Sequence, residues 1–190
     1  EYGMAAEPSA FGTKIVFHAD SPPSIEPIID DLAFWETKIA PANPHADGLM
    51  PLVLRLYASA EERLQAEGLG IRMVCARGPL AVASWLAGIS PLMMDIAMEP
   101  ERVNKILTAV TETIIRWLHA QLETLRNPEG MMILDDLVGM VSARQYEEHV
   151  QPHLRRIFDE FEGLIRIYHN DTPCKHLLNS LPDAHFDVFN

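Results

Sequence analysis

Short apolar runs alternate with long amphipathic stretches, and this alternation constrains the chain more than any other feature. Residues 71–75, 131–134 and 164–168 are short and mostly apolar, broken only by Arg72 and Arg166, and they read as buried strands rather than amphipathic helices. Between the first two, Val103, Ile106, Leu107, Val110, Ile114, Trp117, Leu118 and Leu122 recur at helical spacing. That helix starts at Glu99-Pro100, and Asn127-Pro128-Glu129-Gly130 ends it. Ser142 and Gln145 form a capping box for the next helix, which buries Tyr146, Val150, Leu154, Ile157, Phe158 and Phe161. The spacing also predicts helices over 51–67, 79–86 and 175–181, and strands over 14–18 and 186–189. Strands alternating with helices in this order imply parallel β/α units with right-handed crossovers.

Six prolines between Pro22 and Pro51 interrupt any period there, so 19–51 reads as an irregular crossover with one short helix near 28–35. At 190 residues, a single domain spanning 1–190 is expected. With 27 acidic against 15 basic residues, the chain carries a formal charge of -12. Such a surface repels nucleic-acid phosphate and anionic lipid, so neither is an expected partner. Two cysteines, Cys75 and Cys174, make no disulfide framework, and a reducing, cytoplasmic setting is the default expectation.

In a parallel array the C-terminal strand ends share one rim, where α/β proteins place their sites. Three loops should meet there: one from Arg77-Gly78-Pro79 to Trp85, one at Asp135–Gly139, and one at His169-Asn170-Asp171. Strand alternation turns one of Asp135 and Asp136 inward, as a general acid or base, a substrate acceptor or a metal ligand; the plainer role is a cap or an arginine partner. Arg77 suits a ligand carboxylate or phosphate, or a local salt bridge, and Trp85 a pocket wall or the core. His169 and Asp171 share strand parity. They suit a divalent metal such as zinc, or a histidine oriented for proton transfer. Asp171 could alternatively cap a helix starting near Pro173. Cys75 and Cys174 read as packing residues and His176 as surface. His18 is a weaker rim candidate, and Gly139 reads as a turn residue.

Gly78–Gly88, the Glu99-Pro100 helix, Leu134–Ser142, Ile167–Asp171 and the closing Phe186-Asp187-Val188-Phe189-Asn190 resemble the uroporphyrinogen decarboxylase superfamily in order and spacing. The resemblance implies a (β/α)8 barrel. It also implies one of two chemistries: cofactor-free decarboxylation of tetrapyrrole acetates, or zinc-dependent methyl transfer between corrinoids and thiols. For the decarboxylase branch, the tyrosine that contacts substrate would fall at Trp85, residues 1–190 include no counterpart of its arginine-rich N-terminal segment, and Asp20, Asp30 and Asp31 compete for the early catalytic aspartate. For the methyltransferase branch, His169 matches the histidine of a His-x-Cys zinc motif, and Asp171 stands at its cysteine. The motif's further cysteine would lie beyond Asn190.

A complete barrel takes about 250 residues, so only part of one is expected here. Its open edges would be covered by further chain or by another protomer in a homo-oligomer. The resemblance therefore suggests a methyltransferase-like enzyme acting with a corrinoid or thiol, with His169 and Asp171 as metal ligands, Asp135 or Asp136 as catalytic or orienting carboxylates, and Trp85 and Arg77 lining the ligand site. The partners would be a small thiol or tetrapyrrole and a corrinoid protein. The alternatives are uroporphyrinogen decarboxylation or a non-catalytic corrinoid or tetrapyrrole binding module.

Overall fold

The computed structural model describes residues 4–29, 35 and 39–190. The expected short helix near 28–35 lies mostly outside the described residues, as do Asp30 and Asp31. In chain order the elements are α1 (Ala6–Ala10), β1 (Lys14–Val16), β2 (Ser24–Glu26), α2 (Met50–Ala66), β3 (Met73–Arg77), α3 (Pro79–Ala87), α4 (Ile89–Met98), α5 (Pro100–Thr124) and β4 (Gly130–Leu134). A helical turn, Ala143–Gln145, and a π-helical turn, Tyr146–Val150, then lead into α6 (Gln151–Glu160). β5 (Ile165–His169) and β6 (Val188–Phe189) complete a four-stranded sheet, order β3-β4-β5-β6, with every pair parallel.

The alternating pattern thus yields the expected parallel sheet. Val74, Ala76, Met131, Ile133 and Tyr168 face the helices and are buried. Against them α5 lays Val103, Ile106, Leu107, Val110, Ile114 and Leu118, all fully buried. Each such side chain contributes about 1.5–3 kcal/mol through the apolar area it removes from water. The capping box also forms: Ser142 Oγ accepts the Gln145 N–H at 3.3 Å, and Gln145 Oε1 accepts the Ser142 N–H at 3.0 Å. The π-helical turn has a local cause. Pro152 has no N–H for the carbonyl of Glu148, and its ring crowds that oxygen, so the preceding turn widens.

Three departures from the sequence expectation are visible. Residues 14–16 do not enter the parallel sheet; β1 pairs antiparallel with β2, with Ile15 opposite Ile25, inside the stretch read as irregular. The expected helix over 175–181 is two 3₁₀ turns, Lys175–Leu177 and Leu181–Ala184; Pro182 has no N–H to bond the Leu178 carbonyl, so an α-helix cannot run on through it. An unexpected helix, α4, follows α3 at a 111° bend where Gly88 takes φ 84°. No single helix among the described residues is long and apolar enough to cross a membrane.

The outer edge of β3 is not left open. The Gln121 side-chain amide, from α5, accepts the Cys75 N–H at 3.1 Å and donates to the Cys75 carbonyl at 2.9 Å, as a neighbouring strand would. One residue pair along, buried Glu7 of α1 accepts the Arg77 N–H at 2.9 Å. Backbone groups that would template another strand are thereby occupied.

Candidate active site

Parallel register sets the site. Arg77 aligns with Leu134, and Leu134 with His169, so these residues end their strands at one level and on the face opposite the helices. Two residues further along, Asp136 and Asp171 keep the same parity and meet above His169. His169 Nε2 lies 3.3 Å from Asp171 Oδ1 and 4.0 Å from Asp136 Oδ1. One donor atom from each of the three residues lies within 4.8 Å of the others. The Asp171 N–H donates to Asp136 Oδ1 at 3.0 Å, which ties the two loops together at the donors themselves.

Asp135 has the opposite parity and a different place. It is fully buried behind the sheet, where its two oxygens accept the N–H groups of Leu80 and Ala81 in the first turn of α3 at 3.1 and 2.9 Å. Those donors are ones a helix leaves unpaired, so the carboxylate completes the turn that carries Trp85. Burial pushes its pKa up to about 7 despite these bonds. Gly78 is required for this approach: a β-carbon there would lie 2.3 Å from Asp135 Cβ.

Arg77 links the parts. Its Nη1 lies 3.5 Å from Asp136 Oδ2, and its guanidinium lies 5.7 Å from the centroid of the Trp85 ring. The half-buried Trp85 thus acts as a platform for the arginine. A cavity of about 480 Å³ opens beside Arg77, with Val53, Tyr57, Cys75, Trp117 and Leu134 among its lining residues. That volume falls in the range of small-molecule sites. Cys75 is therefore a cavity-wall residue as well as a strand residue, and burial raises the pKa of its thiol.

The remaining candidates separate clearly. Asp171 does not cap the following turn: Asn170 closes that turn by accepting from the Thr172 N–H and hydroxyl and donating to the Thr172 carbonyl. Asp171 is exposed and turned to His169. Cys174 is buried, and exposed His176 bonds the Val141 carbonyl at 2.8 Å, which leaves both outside the cluster. His18 pairs with Ser24 in the β1–β2 hairpin. Gly139 is a point of close approach rather than a turn with positive φ; a β-carbon there would lie 2.6 Å from Thr172 Oγ1 and 2.7 Å from the Pro173 carbonyl.

The donor set fits a divalent cation. Two carboxylates so close repel one another, and Arg77 offsets only one of them; one imidazole nitrogen and two carboxylate oxygens leave coordination positions for other ligands. The sequence pairs His169 with Asp171 and leaves the inward one of Asp135 and Asp136 open between a general acid or base, a substrate acceptor and a metal ligand. The equal level of Leu134 and His169 is the signal that joins Asp136 to the pair.

The family profile described as uroporphyrinogen decarboxylase (URO-D) matches residues 1–190. The uroporphyrinogen decarboxylase of one Thermus thermophilus strain is 25% identical over 146 residues, covering 73% of this chain and 41% of its own. That of Thermodesulfovibrio yellowstonii is 23% identical over 187 residues, covering 95% and 52%. That of Sorangium cellulosum is 31% identical over 87 residues, covering 45% and 24%. These matches span about half or less of each curated relative. Among solved structures, a methyltransferase from Methanosarcina mazei superposes with a TM-score of 0.82 at 20% identity, over 97% of this chain and 54% of that one.

Proposed function

The chain belongs to the uroporphyrinogen decarboxylase family, and from that premise we propose that it is the site-bearing part of a methyltransferase-like enzyme acting on a thiol or corrinoid substrate. One observation carries the reading: Asp136, His169 and Asp171 converge at the C-terminal rim of a parallel sheet, where barrel enzymes keep their chemistry. His169, Asp171 and Asp136 would hold a divalent metal. When bound, such an ion supplies Lewis acidity, which lowers the pKa of a coordinated thiol or water.

The chain's own residues do the rest. The Asp171 N–H fixes the Asp136 carboxylate, so this donor needs little reordering. Arg77 presents its guanidinium from the cavity wall toward Asp136, ready to pair with an anionic substrate group, and Trp85 restrains it. Asp135 keeps the start of α3 in place and so holds that platform.

Tetrapyrrole decarboxylation is the second reading, favoured by the names of the curated relatives and by the arginine beside the cavity. The full-length protein distinguishes the two. Methyl transfer that is lost on chelation and in His169→Ala supports the first. Metal-independent release of carbon dioxide from uroporphyrinogen under anaerobic conditions, with no methyl transfer, overturns it.

A further inference from the structure

We infer that the cavity beside β3 binds a small aryl monocarboxylate, with its ring between the apolar walls and its carboxylate on Arg77. The inference rests on the active-site reading above and names the class of small molecule that the methyl transfer uses beside the corrinoid. Charge points to an anion. The chain carries a formal charge of -12, yet among the described residues Arg77 is the one charged side chain lining this cavity. Asp136 meets its Nη1 at 3.5 Å, and a guanidinium has five N–H donors, enough to take a second carboxylate. The Tyr57 hydroxyl and the Cys75 thiol, also on the wall, are held neutral by burial and do not repel an anion. Glu7 accepts the Arg77 N–H from behind, and burial raises its pKa to about 7, so below that pH it adds little negative charge.

Size and shape point to a single ring system. The volume of about 480 Å³ lies in the lower part of the range for small-molecule sites. Tyr57 and Trp117 contribute aromatic side chains to the walls and Val53 and Leu134 aliphatic ones, a lining that favours a flat apolar body. A tetrapyrrole would bring four rings and an array of acidic side chains to a cavity with one cation, and both its bulk and its charge exceed what these walls supply. Trp85, 5.7 Å from the guanidinium, restrains Arg77 and so reduces the ordering cost when a carboxylate docks. Arg77 stands level with Leu134, and Leu134 with His169, so a carboxylate held there brings its ring system to the rim.

The test titrates full-length protein at pH 6 (about one unit below the Glu7 pKa) with benzoate, benzamide, acetate and uroporphyrin, followed by calorimetry. Wild type should bind benzoate at least about tenfold more tightly than benzamide or acetate. Arg77→Gln should abolish the preference for benzoate over benzamide, whereas Tyr57→Ala should weaken both ligands alike. Saturating benzoate should also slow alkylation of Cys75 in wild type, read by peptide mass spectrometry, which reports on the cavity without any variant. Equal affinity for benzoate and benzamide, tighter binding of uroporphyrin than of benzoate, or Cys75 labelling that benzoate leaves unchanged overturns the inference. Methyl transfer by a protein with no affinity for benzoate overturns it alone and leaves the proposed function standing. Benzoate binding with this Arg77 dependence in a protein without methyl transfer supports the cavity assignment and overturns the proposed function.

Discussion

Glu7 offers a quantitative test of how the rim is built. Its side chain is buried: one oxygen accepts the Arg77 N–H, and the other, Oε2, has no partner. Burial outweighs that bond and raises its pKa from 4.5 to about 7. The folded protein therefore holds the Glu7 proton more tightly than the unfolded chain does. The associated stability is present below pH 4.5 and is lost as pH rises through about 7. At about 1.4 kcal/mol per unit, the loss between pH 5 and pH 8 is about 2.5 kcal/mol. Glu7→Gln keeps an acceptor for Arg77 and cannot ionise. Urea unfolding of wild type and Glu7→Gln at both pH values should show the variant gaining about 2.5 kcal/mol relative to wild type at the higher pH. Asp135 titrates in the same direction in both proteins and cancels from the comparison. Parallel stability profiles for the two proteins would mean that Glu7 does not bind its proton more tightly in the folded state.

Other residues carry further tests. His153, buried between Thr111 and Asn104, has its pKa lowered to about 4, chiefly by burial. Its stabilisation is complete above pH 6.5 and is lost as pH falls toward 4, so His153→Gln should flatten the acid limb of a melting-temperature profile; an unchanged limb contradicts this. Gln121→Ala leaves the Cys75 N–H and carbonyl without their partner and should lower unfolding free energy by about 2 kcal/mol, measured by urea titration. Gly78→Ala forces a β-carbon against Asp135 and should destabilise by about 1–3 kcal/mol or more, whereas an unchanged melting temperature would show that the approach is not tight. Gly139→Ala should separate the two loops and weaken cation binding without removing a ligand, as calorimetry would show.

Much of this arrangement was legible in the residues. The two-sided apolar strands and the single broad face of α5 imply parallel β/α units, and those units place Arg77, Asp136, His169 and Asp171 on one rim. Strand alternation also separated Asp135 from Asp136, but it left open which one turned inward, because that depends on where β4 sits relative to the helices. Register with β5 resolves it: Leu134 lies level with His169, so Asp136 reaches the rim and Asp135 the helix start. Of the β1–β2 hairpin only the first strand shows in the sequence, because the prolines around Ser24–Glu26 mask its three-residue partner. Glu7 carried no local signal at all. Its burial depends on α1 packing against the edge of β3, a contact between residues 70 positions apart.

Anomalous diffraction from crystals of the full-length protein soaked in Mn(II) or Zn(II) would locate the ion itself. A peak is expected at coordination distance from His169 Nε2 and from carboxylate oxygens of Asp136 and Asp171, absent in His169→Ala crystals. Metal-replete crystals whose anomalous peaks all lie away from His169 would contradict that assignment.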